Sequence, residues 1–334
     1  MVVGTLLLSL RRVSGSAPST SAAARGPRLP RAKQSLGQNF LKDEAIARRL
    51  VGAMIDEPSA DDGGRRVLEL GPGQGALTCH LLERYPRMTA FEIDERMFAV
   101  LRDKHPELDV ELADMLSLDL LGLASERGGR LSLVSNTPFY LTSPLLYKLC
   151  ASIEGVRGAV LTVQSEVADR LLSPPSSKQY GILSVMLQLF GQPERLFEIP
   201  PAAFSPAPKV VTTALRLTPT AVPAGETEAC APSQRAALLA LLKLTFEARR
   251  KMLRKSLRPL LDAGEYVERP PADLLAQRPE QLDPATWLAL ARMLFGDDLG
   301  EAGERAGGEG PGRRLERHHT VRSWKAHKAG YETN

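Results

Sequence analysis

Val67-Leu68-Glu69-Leu70-Gly71-Pro72-Gly73-Gln74-Gly75-Ala76-Leu77 is the stretch on which the fold turns. A short strand-forming run enters a turn with glycine at every second position, and a helical pattern follows. Glycine takes positive φ without steric penalty and lets backbone approach a ligand closely. Strand, glycine-rich turn and helix in this order open many α/β proteins, dinucleotide enzymes among them. Outward from this stretch, β-rich runs at 66–70, 89–94, 109–112, 131–135 and 159–164 alternate with helical stretches such as 95–104 and 143–151. That alternation predicts an α/β domain with a parallel sheet. Two more strands are expected at 195–199 and 210–217, around a proline-rich loop at 200–208. Too few residues separate them for a helical crossover, so they should pair antiparallel.

The ligand class is narrowed by three details. The dinucleotide fingerprint wants glycine at position 76, which is alanine here, a tolerated change. The spacing of Gly71, Gly73 and Gly75 resembles the nucleotide-methyltransferase pattern E-x-G-x-G-x-G. Glu92, in Phe91-Glu92-Ile93-Asp94, ends the second strand about 20 residues past the first glycine, where an acid accepts the ribose hydroxyls of an adenosine. That placement serves a nicotinamide dinucleotide and S-adenosylmethionine alike. Asp114, at the end of the third strand, is placed to accept from an adenine amino group. Both acids fall at the carboxyl edge of the sheet, where ligands bind in this architecture.

Composition sets outer limits. The 334 residues suffice for one large domain or two ordinary ones. A net charge of +4 leans mildly toward anionic partners, and a solvated basic surface explains it equally well. Cys79, Cys150 and Cys230 are odd in number and far apart, so neither a disulfide framework nor a metal site follows, and a reducing compartment is the simplest inference. No apolar run is long enough to span a membrane. Residues 2–10 are apolar but no basic residue precedes them, unlike a secretory signal. Arg, Ser and Ala then dominate, and no acid occurs before Asp43. Residues 1–32 therefore read as a transit peptide, for a mitochondrion ahead of a plastid, with a plain disordered tail as the alternative.

Ser135-Asn136-Thr137-Pro138-Phe139-Tyr140 follows the fourth strand. It resembles the N-[LIP]-P-[YF] motif of methyltransferases that act on amino groups. The residue types suit that chemistry. An adenine N6 amine is a weak nucleophile because its lone pair is delocalised into the ring. It needs acceptors for its hydrogens and a fixed attack geometry rather than a strong base. The Asn136 side-chain oxygen and the Thr137 backbone carbonyl can supply these. Pro138 fixes the turn, and Phe139 offers a face for an extruded base.

The chain resembles the ribosomal RNA adenine dimethyltransferases over residues 33–294. The segments that carry this are 35–41 (SLGQNFL), 164–171 (QSEVADRL), 180–185 (YGILSV), 204–210 (FSPAPKV), 246–253 (FEARRKML) and 278–282 (RPEQL), in the family's order. The resemblance implies a Rossmann-like class I methyltransferase fold: a mostly parallel seven-stranded sheet with an antiparallel strand, plus a small C-terminal all-α domain. The expected divisions are a methyltransferase domain at 33–218, a linker at 219–232 read from its Pro, Ala, Thr and Glu, a helical RNA-binding domain at 233–295, and a disordered tail at 296–334 read from its Gly, Glu and Arg. The resemblance also implies S-adenosylmethionine contacts at Asn39, Leu41, Gly71, Gly73, Glu92, Asp114 and Asn136, and a target adenine held between Phe139 and Phe204. The expected substrate is a pair of adjacent adenines in the 3′-terminal hairpin of small-subunit rRNA, reached by a monomer on an immature ribosomal subunit. Three positions depart from the family pattern. Thr137 stands for Leu or Ile, Phe139 for a frequent Tyr, and Ser165 for a frequent Lys that contacts RNA.

By 3.6-residue periodicity, Arg250, Lys251, Arg254, Lys255 and Arg258 share one side of a helix expected over 233–258, with Phe246, Leu253, Leu257 and Leu260 opposite. Such a stripe can follow a phosphate backbone. Further helices are expected at 272–275 and 284–294. Competing readings are a mitochondrial transcription or ribosome-assembly factor acting mainly by binding, an antibiotic-resistance methylase of large-subunit RNA, and a nicotinamide-dependent oxidoreductase. Intact Glu92, Asp114 and Asn136 argue for retained catalysis. The helical signature after Phe246 argues against the resistance methylase, and the Asn136 motif leaves the oxidoreductase without a reason.

Overall fold

The computed structural model describes residues 30–55, 62–220, 232–264 and 266–296. Nearly all of the expected transit peptide, the linker and the tail lies outside these residues. In chain order the elements are β1 (Phe40–Leu41), α1 (Glu44–Gly52), β2 (Val67–Leu70), α2 (Thr78–Arg84), β3 (Thr89–Glu92), α3 (Glu95–Lys104), β4 (Asp109–Leu112), α4 (Leu120–Glu126), β5 (Leu131–Ser135), α5 (Thr142–Ala151) and β6 (Val156–Gln164). There follow α6 (Ser165–Leu172), α7 (Ile182–Phe190), β7 (Gly191–Ile199), β8 (Phe204–Ser205) and β9 (Thr212–Pro219). The C-terminal helices are α8 (Pro232–Glu247), α9 (Leu253–Ser256), α10 (Arg258–Ala263), α11 (Ala272–Ala276) and α12 (Pro284–Phe295).

Seven strands form one sheet in the order β4-β3-β2-β5-β6-β9-β7. β2 to β6 run parallel, and β9 is antiparallel to both of its neighbours. The fold is the expected one, a mostly parallel seven-stranded sheet with one antiparallel strand. The side-chain period of two divides the apolar residues between two cores. Leu68, Leu70, Leu133 and Leu161 pack with α4 to α7, and Val67, Val134 and Val160 pack with α1 and α2 on the other face. Chain order reverses between β2 and β5, which makes the gap at their carboxyl ends the crevice of a doubly wound sheet. There the Ser135 hydroxyl donates to the Leu70 carbonyl at 2.7 Å and ties the two strand ends together.

The C-terminal helices are not a separate body. Leu238, Leu241, Trp287 and Leu290 belong to the same core as Leu145, Leu149 and Leu187. The rings of Phe246 and Trp287 lie 5.8 Å apart. The Tyr180 hydroxyl donates to the Leu282 carbonyl at 2.9 Å. Buried Arg235 on α8 pairs with Glu154 and donates to the Ala151 carbonyl at 3.2 Å.

The single helix expected over 233–258 is corrected. α8 ends at Glu247, a turn covers 248–252, and α9 and α10 follow. The Arg249 side chain draws the chain aside. Its Nε donates to Glu280 at 2.6 Å and its Nη2 to the Ser177 carbonyl at 2.9 Å. The Leu253 N–H then donates to Gln277 rather than to its own helix. Leu253, Leu257 and Leu260 are still buried, so the apolar phase persists across a break in the backbone. Among the described residues, no helix is long and apolar enough to cross a membrane.

Candidate active site

A cavity of about 510 Å³ opens over the carboxyl ends of β2, β3 and β5. Asn39, Leu41, Gly71, Gly73, Glu92, Asp114, Asn136, Thr137, Pro138, Phe139 and Phe204 all line it, though they come from six separate segments of the chain. Its floor is the glycine-rich turn. Gly71 and Gly73 sit at φ of 68° and 57°. A Cβ on Gly71 would come within 3.1 Å of the Met115 methyl, and one on Gly73 within 3.0 Å of the Phe40 ring. Side chains there would fill the space between the turn and the cavity's other walls.

Three carboxyl groups are shifted differently because their surroundings differ. Glu92 at the end of β3 is buried, and burial raises its pKa. The backbone N–H groups of Asp94 and Gly73 oppose this by donating to its two oxygens at 2.8 and 2.9 Å. Glu69, inside β2, lacks such a cradle. Burial pushes its carboxyl up to about 8, with the Thr78 hydroxyl at 2.7 Å pulling the other way. Asp94 is the opposite case. Arg96 donates to it through Nε and Nη2, at 3.0 and 2.6 Å, and holds its pKa down to about 2. Asp94 also caps α3 and accepts from Gln38 Nε2 at 3.0 Å, which fastens the segment before β1 along the cavity rim. Asp114 lies two residues beyond β4 and accepts from the Leu116 N–H at 2.9 Å.

The Asn136 amide is held at both ends. Its Nδ2 donates to the Asn39 carbonyl at 3.0 Å, and its Oδ1 accepts from the Thr162 hydroxyl at 2.8 Å. Phe139 beside it is half-buried. Phe204 is only 3% exposed and packs with Leu41, Leu50 and Ile199, so it is a core residue as well as a lining residue. β1 and β8, two residues each, pair antiparallel with Leu41 opposite Phe204.

The five cations of the expected RNA surface are all exposed. They do not share one helix face: Arg250 and Lys251 lie in the turn after α8, Arg254 and Lys255 on α9, and Arg258 at the start of α10. Arg250 and Lys251 join Lys178 and Arg278 around a second, shallower cavity. Lys178 and Arg278 had no place in the periodicity because they come from other segments. Ser165 is half-buried, its hydroxyl 2.8 Å from that of Thr213 and 3.1 Å from the Val211 carbonyl.

The donor set suits an adenosine-bearing cofactor: a glycine turn open to backbone approach, a buried acid at the end of β3, and a further acid after β4. Comparison with known proteins agrees. Residues 30–268 match the family described as ribosomal RNA adenine dimethylase. The ribosomal RNA small subunit methyltransferase A of Salinibacter ruber is 43% identical over 79% of this chain and 85% of its own length. That of Bordetella petrii is 39% identical over 79% and 95%. Among solved structures, the dimethyladenosine transferase of Plasmodium falciparum has the same fold, with a TM-score of 0.58 at 21% identity over 75% of this chain and 95% of that one. The 23S rRNA methyltransferase ErmE superposes with a TM-score of 0.51 at 26% identity, over 77% and 99%. With so much of its length matched, and with a methyltransferase sheet beneath its cavity, the chain belongs to the ribosomal RNA adenine dimethylase family and is an rRNA adenine dimethyltransferase.

Proposed function

We propose that this chain uses S-adenosylmethionine to dimethylate N6 of two adjacent adenines in the 3′-terminal hairpin of small-subunit rRNA, as a monomer on an immature subunit, in ribosome biogenesis. The observation that carries this is the Asn136 amide, pinned at the end of β5 in the cavity that also holds Glu92 and Asp114. Glu92 would hold the ribose hydroxyls and Asp114 the adenine amino group of the cofactor, with Asn39, Leu41, Gly71 and Gly73 along it. When bound, S-adenosylmethionine supplies a methyl group on a positively charged sulfur.

The protein's own part is binding and aim. Asn136 Oδ1 has a second lone pair and the Thr137 carbonyl lies next in the chain; both accept from the N6 amine of the target. Holding the amine hydrogens directs the nitrogen lone pair, and the acceptors strengthen as positive charge grows on nitrogen. Phe139 offers a stacking face for an adenine drawn out of its helix. The exposed cations from Arg250 to Arg258 meet RNA phosphates. Residues 1–32 direct the chain to an organelle, the mitochondrion ahead of the plastid, a reading supported by their basic, acid-free composition.

Methyl transfer from labelled S-adenosylmethionine to an immature small subunit, with the product nucleoside identified by mass, tests the activity. N6,N6-dimethyladenosine is expected, and Asn136→Ala should abolish it. Subunit binding without methylation would replace this reading with that of an assembly or transcription factor. Import of a reporter carrying residues 1–32 into isolated mitochondria tests the address, and a reporter left outside would refute it.

A further inference from the structure

We propose that Thr162 is a positioning residue for methyl transfer, acting through Asn136; this rests on the reading of the cavity just given. The parallel register of β5 and β6 sets Ser135 opposite Leu161. The next residue of β6, Thr162, therefore comes beside Asn136 as the chain leaves β5. Thr162 is 1% exposed and is the one polar side chain in the run Val160-Leu161-Thr162-Val163. Packing alone would be served by valine, which has nearly the same shape and no hydroxyl to satisfy. The hydroxyl instead donates to Asn136 Oδ1 at 2.8 Å.

The bond has a directional consequence. Asn136 Nδ2 faces the Asn39 carbonyl at 3.0 Å, so a flipped amide would set two acceptors against each other. Thr162 secures the other end, using one lone pair of Oδ1 and leaving the second for a substrate N–H. An adenine amine has two hydrogens at the first transfer and only one at the second. The second transfer has a single N–H by which to aim the nitrogen, so it depends more on an acceptor held still.

Thr162→Val and Thr162→Ser, compared with wild type on immature subunits, test this. The valine variant should lower kcat by roughly tenfold, the worth of one orienting hydrogen bond. KM for S-adenosylmethionine and for the subunit should stay within about twofold. N6-monomethyladenosine should accumulate in place of the dimethyl product, and the serine variant should restore both rate and product. Wild-type turnover and product ratio in Thr162→Val, or a serine variant as impaired as valine, would overturn the proposal and leave the hydroxyl a structural contact. A wild-type chain that transfers no methyl group would overturn the reading of the site, and the proposal with it.

Discussion

Leu41 and Phe204 face each other across a two-residue antiparallel pairing, although 163 positions separate them in the chain. The pairing brings the segment before α1 against the proline-rich loop after β7, and both residues line the cavity. Anything that shifts one strand shifts the other, so the two walls of the cavity that these strands supply are set together.

Phe204 serves both the core and the cavity, and Phe204→Leu separates the two. Leucine keeps most of the apolar volume, so the loss of stability should stay within about 1.5 kcal/mol. It removes the aromatic face, whose stacking on a base is worth about 1–3 kcal/mol. We expect kcat/KM for the ribosomal subunit to fall by about ten- to a hundredfold, while S-adenosylmethionine affinity measured by calorimetry is retained. An unchanged kcat/KM would assign Phe204 to the core alone.

Glu69 predicts a pH dependence of stability. Its ordinary pKa is 4.5 and in the fold it is about 8. Between those values the folded chain carries one more proton than the unfolded chain, so this group's contribution is full below 4.5 and lost as pH rises toward 8. Glu69→Gln cannot ionise. The Tm of wild type relative to the glutamine variant should decline steadily from pH 5 to pH 8. Parallel Tm curves would show that Glu69 ionises in the fold much as it does in water.

Asp94 has the opposite sign. Its pKa drops from 3.8 to about 2 in the fold, so its stabilisation is present above pH 4 and fades as pH falls through 2. Asp94→Asn keeps a cap for α3 but loses the paired contact with Arg96. The variant should be less stable than wild type at neutral pH, with the gap closing near pH 2 in acid titrations followed by circular dichroism. Because Gln38 is fastened to the same carboxylate, the affinity for S-adenosylmethionine should weaken as well.

Adjacent arginines after α8 divide by role. Arg250→Glu combined with Arg254→Glu should weaken RNA binding and flatten its salt dependence by about one unit of slope per lost contact, with no change in cofactor affinity. Arg249→Ala should lower Tm, because it takes the guanidinium from the Glu280 carboxylate and leaves the Ser177 carbonyl only the Tyr180 N–H at 3.3 Å. It should leave the salt slope unaltered. Equal salt slopes for the double reversal and wild type would remove these cations from the RNA surface.

The sheet was readable because each of its strands is a β-rich run bounded by turn residues, and the acids that line the cavity fall just where those runs end. β1 and β8 were not readable as strands. Two residues carry no period, and only the approach of distant segments makes them pair. The break after α8 was hidden for a different reason. Phe246, Leu253, Leu257 and Leu260 keep helical spacing, and the contacts that bend the chain come from Ser177, Gln277 and Glu280, far away in sequence. Thr162 was invisible on both counts, since its partner is chosen by the register of two strands. Asn136, Glu92 and Asp114, which the fold brings to one cavity, could be named from the sequence because the proposed chemistry asks for their residue types at strand ends.

The proline-rich stretch at 219–232 looks like a seam where the molecule could be unpicked, and the packing around Trp287 says otherwise. Trp287 is fully buried in the core that also holds Leu145 and Leu187. Removing the chain beyond 220 would strip the cover from α5 and α7 and turn part of an interior into an oily, sticky exterior. The catalytic sheet is thus not a portable cassette. Swaps between relatives should carry the C-terminal helices and the helices beneath them as one inheritance, with crossover points chosen in surface loops.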